Sequence, residues 1–270
     1  MFHSVEPKTS PTRSPPEVRA LSRGLRLLEI LTDTPDGLSL TELTQEAQLS
    51  KSSTHRLLHT LKSNGYVLQN PTNSHYLPSL KLLELGNKLL QNNDLHDVAQ
   101  VVLKDLVAIT GETVHLVLLD QNSAVYVEKV ESPNSIRMYS KIGMRVPLHC
   151  TGVGKAILAY LADDKLDAFF RNSHLTRFSE RTITNPEILK AQLEEIRANG
   201  YAIDDGEHEE QILCLAVPLF ARNHQVVGAV SITAVSFRVN MEKLISWWPD
   251  LRRVAELLNN DLTGYFERYI

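Results

Sequence analysis

Between Thr41 and Val67 the chain reads TELTQEAQLSKSSTHRLLHTLKSNGYV, and its apolar positions fall into two short helical stripes. Leu40, Leu43 and Ala47 make the first stripe, and Leu49 sits at the break. Thr54, Leu57, Leu58 and Leu61 make the second, at the i, i+3, i+4, i+7 spacing of a helix face. Ser50 stands where an N-cap belongs, and Gly65 where the residue past a helix end often needs positive φ. Tyr66–Gln69 and His75–Leu77 then read as two short strands around Asn70–Ser74. Helix, turn, longer helix and hairpin is the outline of a winged helix-turn-helix, whose second helix enters the DNA major groove. Upstream, Val18, Leu21, Leu25, Leu28 and Leu31 form the apolar stripe of a further helix. The turn Pro35-Asp36-Gly37 and an extended piece, Leu38-Ser39-Leu40, lead into the motif.

Downstream, Leu80 to about Gln91 has a helical pattern with apolar positions at Leu80, Leu83, Leu85, Leu89 and Leu90. Asn92-Asn93-Asp94 breaks it, and a second helix runs from about Asp94 to Ile109. The period then changes to two. Thr113–Leu119 and Ala124–Val130 read as paired strands, Ile136–Ser140 as a third, and Leu213–Phe220 with Val226–Thr233 as a hairpin. Gly152–Leu161, Asp163–Phe170, Pro186–Asn199 (closed by Gly200) and Asn240–Asp261 read as helices. The pattern predicts an α+β protein in which an antiparallel sheet carries helices on one side. The proline-rich residues 1–16 predict a disordered arm, 17–78 the winged helix-turn-helix, 79–93 a linker helix and 94–270 a sensor domain.

Composition narrows the class. A 43% hydrophobic, 22% charged chain can bury a core. No apolar run is long enough to span a membrane, and the N-terminus lacks the apolar stretch of a secretory signal. Two cysteines far apart make neither a disulfide framework nor a zinc finger, so a reducing cytoplasm is expected. Net charge is −4, and residues 1–70 hold 8 basic against 7 acidic side chains. A DNA contact must therefore come from a local face. The second helix of the motif supplies one: Lys51, Ser52, His55, Arg56, His59 and Lys62 point outward and none is acidic, whereas the first helix carries Glu42 and Glu46. With Ser53, and with Arg23 and Arg26 on the upstream helix, these give the candidate DNA contacts. An ordinary surface helix with solvated charges would show the same stripe.

Four clusters in the second half are candidates for chemistry. His149-Cys150-Thr151-Gly152-Val153-Gly154-Lys155 opens a helix, and free N–H groups there suit a carboxylate or phosphate. It is not a nucleotide phosphate loop, because His149 stands where Gly is needed and Ala156 where Ser or Thr is needed. A tight turn alone would also explain the glycines. Asp204–Glu210 is acidic, contains one histidine, and reads better as a solvated loop than as a metal site. Cys214 opens an apolar strand, which points to packing. Ser231 and Thr233 place two hydroxyls on one strand face. No metal or cofactor is called for.

Taken in order, LSLTELTQEAQLSKSSTHRLLHTLKSNGYV, RVPLHCTGVGKAILA, NGYAIDDGEHEEQILCLAVPLF and GAVSIT resemble the IclR family of bacterial transcription regulators, from about Val18 to Tyr265. ETVHLVLLD, RMYSKIGMRVPL and SERTIT resemble more narrowly the members that repress pectin- and hexuronate-degradation genes in response to 2-keto-3-deoxygluconate. The resemblance implies a winged-helix domain, a linker helix, a GAF-like effector domain, and dimers that pair into tetramers on palindromic operator DNA. It implies a keto-acid effector whose carboxylate meets the backbone of Gly152 and Val153. Asp204, Cys214, Ser231 and Thr233 would supply polar contacts, and Met138, Val146 and Ile212 the walls. Thr233 replaces the family's usual Ser, and Val153 its usual Ala, which bears on which acid fits. The rival expectation is an enzyme acting on a small organic acid through Cys214 or His149, with a helical docking module. A third is a sensor that binds protein instead of DNA.

Overall fold

The computed structural model describes residues 17–91 and 95–266; the expected disordered arm and the Asn92–Asp94 break lie outside the described residues. The chain divides into two units, Met1–Leu89 and Leu90–Ile270.

The first unit runs α1 (Arg19–Thr32), α2 (Leu40–Glu46), α3 (Lys51–Ser63), β1 (Val67–Gln69), β2 (Tyr76–Pro78) and α4 (Leu80–Gln91). Its helix starts are set by side chains. Ser39 and Glu42 form a reciprocal capping box on α2, and the Ser50 hydroxyl accepts the Ser53 N–H at 3.3 Å on α3. Ser39 thus takes the cap and Leu40 is helical, not extended as its sequence context had indicated. Beyond α3, Gly65 turns the chain with φ +79° into the antiparallel β1–β2 wing. Leu27, Leu31, Leu43, Leu58, Val67 and Tyr76 close the core. The stripe expected on α1 holds at its end, where Leu31 is buried and Leu28 packs against the core, and shifts at its start. Gly24, Leu27 and Leu31 are buried, while Val18, Leu21 and Leu25 are 66%, 62% and 51% exposed. The two rows fit a helical period equally well, so the period alone does not choose between them, and the buried row meets α3 at Gly24. A Cβ there would stand 3.9 Å from Leu57, so α1 crosses α3 at its smallest residue.

The second unit runs α5 (Leu95–Thr110), β3 (Thr113–Asp120), β4 (Ser123–Val130), β5 (Arg145–Pro147), α6 (Gly152–Leu158), α7 (Asp163–Asn172), α8 (Pro186–Asn199), β6 (Ala202–Asp205), β7 (Ile212–Phe220), β8 (Val226–Val235), α9 (Met241–Ser246), α10 (Trp248–Asp261) and α11 (Thr263–Phe266). Six strands form one antiparallel sheet in the order β5-β4-β3-β8-β7-β6. Helices cover both faces, not one. Leu103, Leu106, Leu251 and Leu258 of α5 and α10 pack on the face bearing Leu215, Val217 and Ile232. Val153, Ile157, Leu189 and Leu193 of α6 and α8 pack on the face bearing Ala216 and Ala229. This double cover is why β8 is buried at every position and β7 at all but its last.

Two further expectations change. Residues 136–140 form no strand: the Ile136 carbonyl accepts from Arg238 at 3.2 Å and the Ser140 carbonyl from Lys129 at 2.7 Å. β5 takes the sheet edge instead, with Val146 opposite Ala124. The C-terminal helix is two helices, broken at Trp247, because Pro249 in the first turn of α10 has no N–H to continue α9. No helix among the described residues is long and apolar enough to cross a membrane.

Candidate functional site

α3 owes its orientation to Thr54 and Leu58, which are fully buried, and this turns the opposite face outward. Lys51, Ser52, His55, Arg56, His59 and Lys62 are all exposed. Ser53 is half-buried, and its hydroxyl accepts from Ser50 at 2.9 Å, so it belongs to the cap cluster. Lys62 donates to Gln69 of the wing at 3.1 Å. Arg23 and Arg26 are exposed on α1. A groove of about 780 Å³ between α1 and α3 is lined by Arg23, Ser53, His55, Arg56 and His59, but not by Arg26. The described side chains of this face carry no negative charge, as a surface meeting phosphate requires.

In the second unit, strand register assembles a polar row. Asp204 of β6 lies opposite Cys214 of β7, which lies opposite Thr233 of β8. Directly opposed residues share a face, so the three side chains stand together. Ser231 joins them two residues along β8. α6 presses its N-terminus onto this row. The Thr151 hydroxyl caps it by accepting the Gly154 N–H at 3.0 Å. The N–H groups of Gly152 and Val153, in the first turn, have no intrahelical acceptor. The enclosed cavity holds about 20 Å³, room for one water. Gly152, Val153, Asp204, Ile212, Cys214, Ser231, Thr233 and Met138 line it. Val146 does not: its pairing with Ala124 sends it into the apolar core and toward a separate surface groove. Tyr126, Thr151, His208 and Glu209 complete the lining; Thr151 belongs to the glycine-rich cluster and His208 and Glu209 to the acidic one, but none of the four was among the expected effector contacts. Thr151 before Gly-Val-Gly is an N-cap signal, and Tyr126 alternates inward on its strand; either could have been found.

Glycine serves close packing here. A Cβ on Gly152 would meet the Cys214 sulfur at 2.9 Å, and one on Gly154 would meet the Leu148 backbone at 2.4 Å. These glycines let the α6 end approach the sheet, whereas the sequence had pointed to the approach of a ligand. The acidic stretch is solvated only in part: Asp205, Glu209 and Glu210 are exposed, but two of its acids are buried. Asp204 is 3% exposed and Glu207 5%. Asp204 accepts the Glu207 N–H at 2.7 Å, and Glu207 pairs with the fully buried Lys155, which also donates to Gln192 at 2.9 Å.

Burial sets the charges. It raises the Asp204 carboxyl to about 7, against the opposing pull of the Glu207 N–H and Lys155. It raises Cys214 to about 11 and Cys150 to about 12, so both thiols stay protonated at neutral pH. It lowers His149 and His208, and raises Glu209. Below the row, His115 is fully buried and lowered to about 3 by desolvation. Its ring contacts Thr233 at 3.2 Å and Ser140 at 2.8 Å. Ser231 is 1% exposed, and its hydroxyl meets the Cys214 thiol, a weak partner, with no stronger hydrogen-bond partner among the described residues. No group of three or more metal-ligating side chains gathers among the described residues. A thiol that burial keeps protonated is a poor nucleophile, whereas unpaired N–H groups and hydroxyls around a buried carboxyl are binding chemistry.

The chain matches the IclR helix-turn-helix domain over residues 20–71 and the C-terminal domain of bacterial transcriptional regulator IclR over residues 87–260. It is 36% identical over 255 residues to the HTH-type transcriptional regulator KdgR of Escherichia coli K12, covering 94% of this chain and 96% of that one. It is 34% identical over 250 residues to the regulator XynR of the same organism, covering 93% and 99%. The crystal structure of the Thermotoga maritima IclR superposes with a TM-score of 0.72 at 35% identity, covering 92% of this chain and 100% of that chain. The chain therefore belongs to the IclR family: it is a DNA-binding transcription regulator and not an enzyme.

Proposed function

We propose that this regulator is a cytoplasmic repressor of sugar-acid catabolic genes, released by a small keto or hydroxy acid bound in the α6–sheet cavity. The Ser231 hydroxyl, buried with no partner stronger than a thiol among the described residues, carries the reading. A buried polar atom so weakly partnered is rare and calls for a ligand or water. The unpaired N–H groups of Gly152 and Val153 suit the carboxylate, as a helix N-terminus favours an anion. Asp204, Cys214, Ser231 and Thr233 suit the oxygens along the sugar chain, and Met138 and Ile212 its carbon side. Such an acid exceeds the present cavity, so binding requires Met138 or the His208-Glu209 loop to move outward.

A dimer would place two α3 helices in successive major grooves of a palindrome, with Lys51, Ser52, His55, Arg56 and His59 at bases and phosphates and Arg23 and Arg26 at the flanking backbone. Effector affinity for one of two arrangements would then shift operator affinity. The test has two parts. Gel shift against DNA upstream of the gene's own neighbourhood should show a specific complex, and its absence on every such fragment ends the operator reading. Thermal-shift screening against sugar-derived keto and hydroxy acids should raise the melting point with at least one. No response across the series would end the effector reading.

A further inference from the structure

Resting on the keto-acid reading above, we infer that His115 sets the specificity of the cavity from beneath, by forcing the Thr233 hydroxyl to present its proton to the ligand. Ser140 dictates where the imidazole proton sits. This residue is 4% exposed, and the partner of its hydroxyl among the described residues is His115 Nε2 at 2.8 Å. A hydroxyl carries one proton, and a buried proton needs an acceptor. Nε2 is the acceptor present, so Nε2 must be bare. A neutral imidazole with a bare Nε2 carries its proton on Nδ1. Burial holds this ring neutral, and the nearby Lys129 ammonium reinforces that. Nδ1 therefore donates to Thr233 Oγ1 at 3.2 Å.

The consequence lies in the cavity. One lone pair of Thr233 is occupied by the imidazole proton, and its own proton points away from the ring, toward Cys214 Sγ at 3.7 Å. Sulfur is a weak acceptor, so a ligand oxygen can take that proton. Thr233 lies opposite Cys214, and Cys214 abuts Gly152 at the α6 N-terminus. The atom that meets Thr233 is thus close to a carboxylate held by Gly152 and Val153. A substituent beside the carboxylate that accepts, as a keto oxygen does, can take that proton, whereas an ammonium there must leave the proton on the weak Cys214 acceptor and use the one lone pair that Thr233 has left. His115 touches no ligand; it is a positioning residue whose effect is read at Thr233.

Two measurements on the full chain test this. Ring nitrogen-15 spectra, with the His115 signals assigned by comparison with His115→Leu, should show a protonated Nδ1 and a bare Nε2. A protonated Nε2 overturns the inference with no ligand involved. Ser140→Ala, a milder change, removes the proton that demanded a bare Nε2 and should populate the other tautomer; an unchanged spectrum also overturns it. The second measurement is binding of 2-keto-D-gluconate against 2-amino-2-deoxy-D-gluconate. The keto acid should bind more tightly, and His115→Leu should lower that preference at least about fivefold, the scale of one unsatisfied buried polar group. Equal weakening of both probes would make His115 merely structural and overturn the specificity role. If neither probe binds, the keto-acid reading fails, and the nitrogen spectrum still decides the tautomer.

Discussion

At the scale of single residues, Asp204 and Gly152 make opposite use of burial. Asp204 is ionisable and held at about 7, well above the ordinary 3.8 of its carboxyl, chiefly by desolvation. The folded state therefore binds a proton that the unfolded state releases between about pH 4 and pH 7, and stability falls as pH rises through that window. A rise of this size corresponds to roughly 4 kcal/mol at its full extent. Asp204→Asn keeps the acceptor for the Glu207 N–H and removes the ionisation. The variant should melt above the parent at pH 8 and near it at pH 4 in parallel calorimetric scans; a constant difference across that range would contradict the assignment. Gly152 is needed for its missing Cβ, which would stand 2.9 Å from the Cys214 sulfur. Gly152→Ala should cost about 1–3 kcal/mol in urea unfolding, the usual range for overpacking. Adding Cys214→Ala should recover part of that loss, and failure to recover any would place the clash elsewhere.

At the scale of elements, legibility followed length and local chemistry. α3 and α8 were readable because each has a clear boundary beside a helical stripe, Ser50 before one and Gly200 after the other. The β7–β8 hairpin was readable because its two runs are long and apolar around a polar turn. β5 and β6, three and four residues long, carry too few positions for a period to show. Missing β6 is what made Asp204 look solvated: its burial comes from pairing with Cys214, a partner ten positions away that alternation cannot name. Lys155 and Glu207 escaped for the same reason, since only the tertiary fold brings α6 against the loop after β6. Their ion pair anchors that loop, and removing one partner strands the other charge in the interior. Lys155→Met should destabilise the second unit by about 3–5 kcal/mol, while Lys155→Met with Glu207→Leu should be closer to the parent. Urea midpoints of the three proteins measure this directly, and a double variant as weak as the single would rule out the stranded charge as the cause.

At the scale of the whole molecule, the two units divide charge as well as fold. Residues 1–89 have 10 basic and 8 acidic side chains, and residues 90–270 have 18 and 24, a net of −6. Attraction to DNA thus rests on few cations, among which Lys51 and Arg56 sit on the exposed face of α3. Each phosphate neutralised contributes about 0.9 to the slope of log affinity against log salt. Lys51→Ala should lower that slope by about that amount. Arg56→Ala, if it reads a base, should cost about 1–3 kcal/mol at the matched operator and less at a mutated one. Separate cores keep these changes local: Leu58 and Leu43 hold the first unit, while Leu215 and Leu251 belong to the second. Arg56→Ala should therefore leave untouched the melting shift expected of the second unit with the proposed acid. Ser231→Ala should do the reverse, abolishing that shift while the protein still retards operator DNA. Titrating both variants by gel shift and by thermal shift separates the two activities, and a variant that lost both together would contradict their residing in different units.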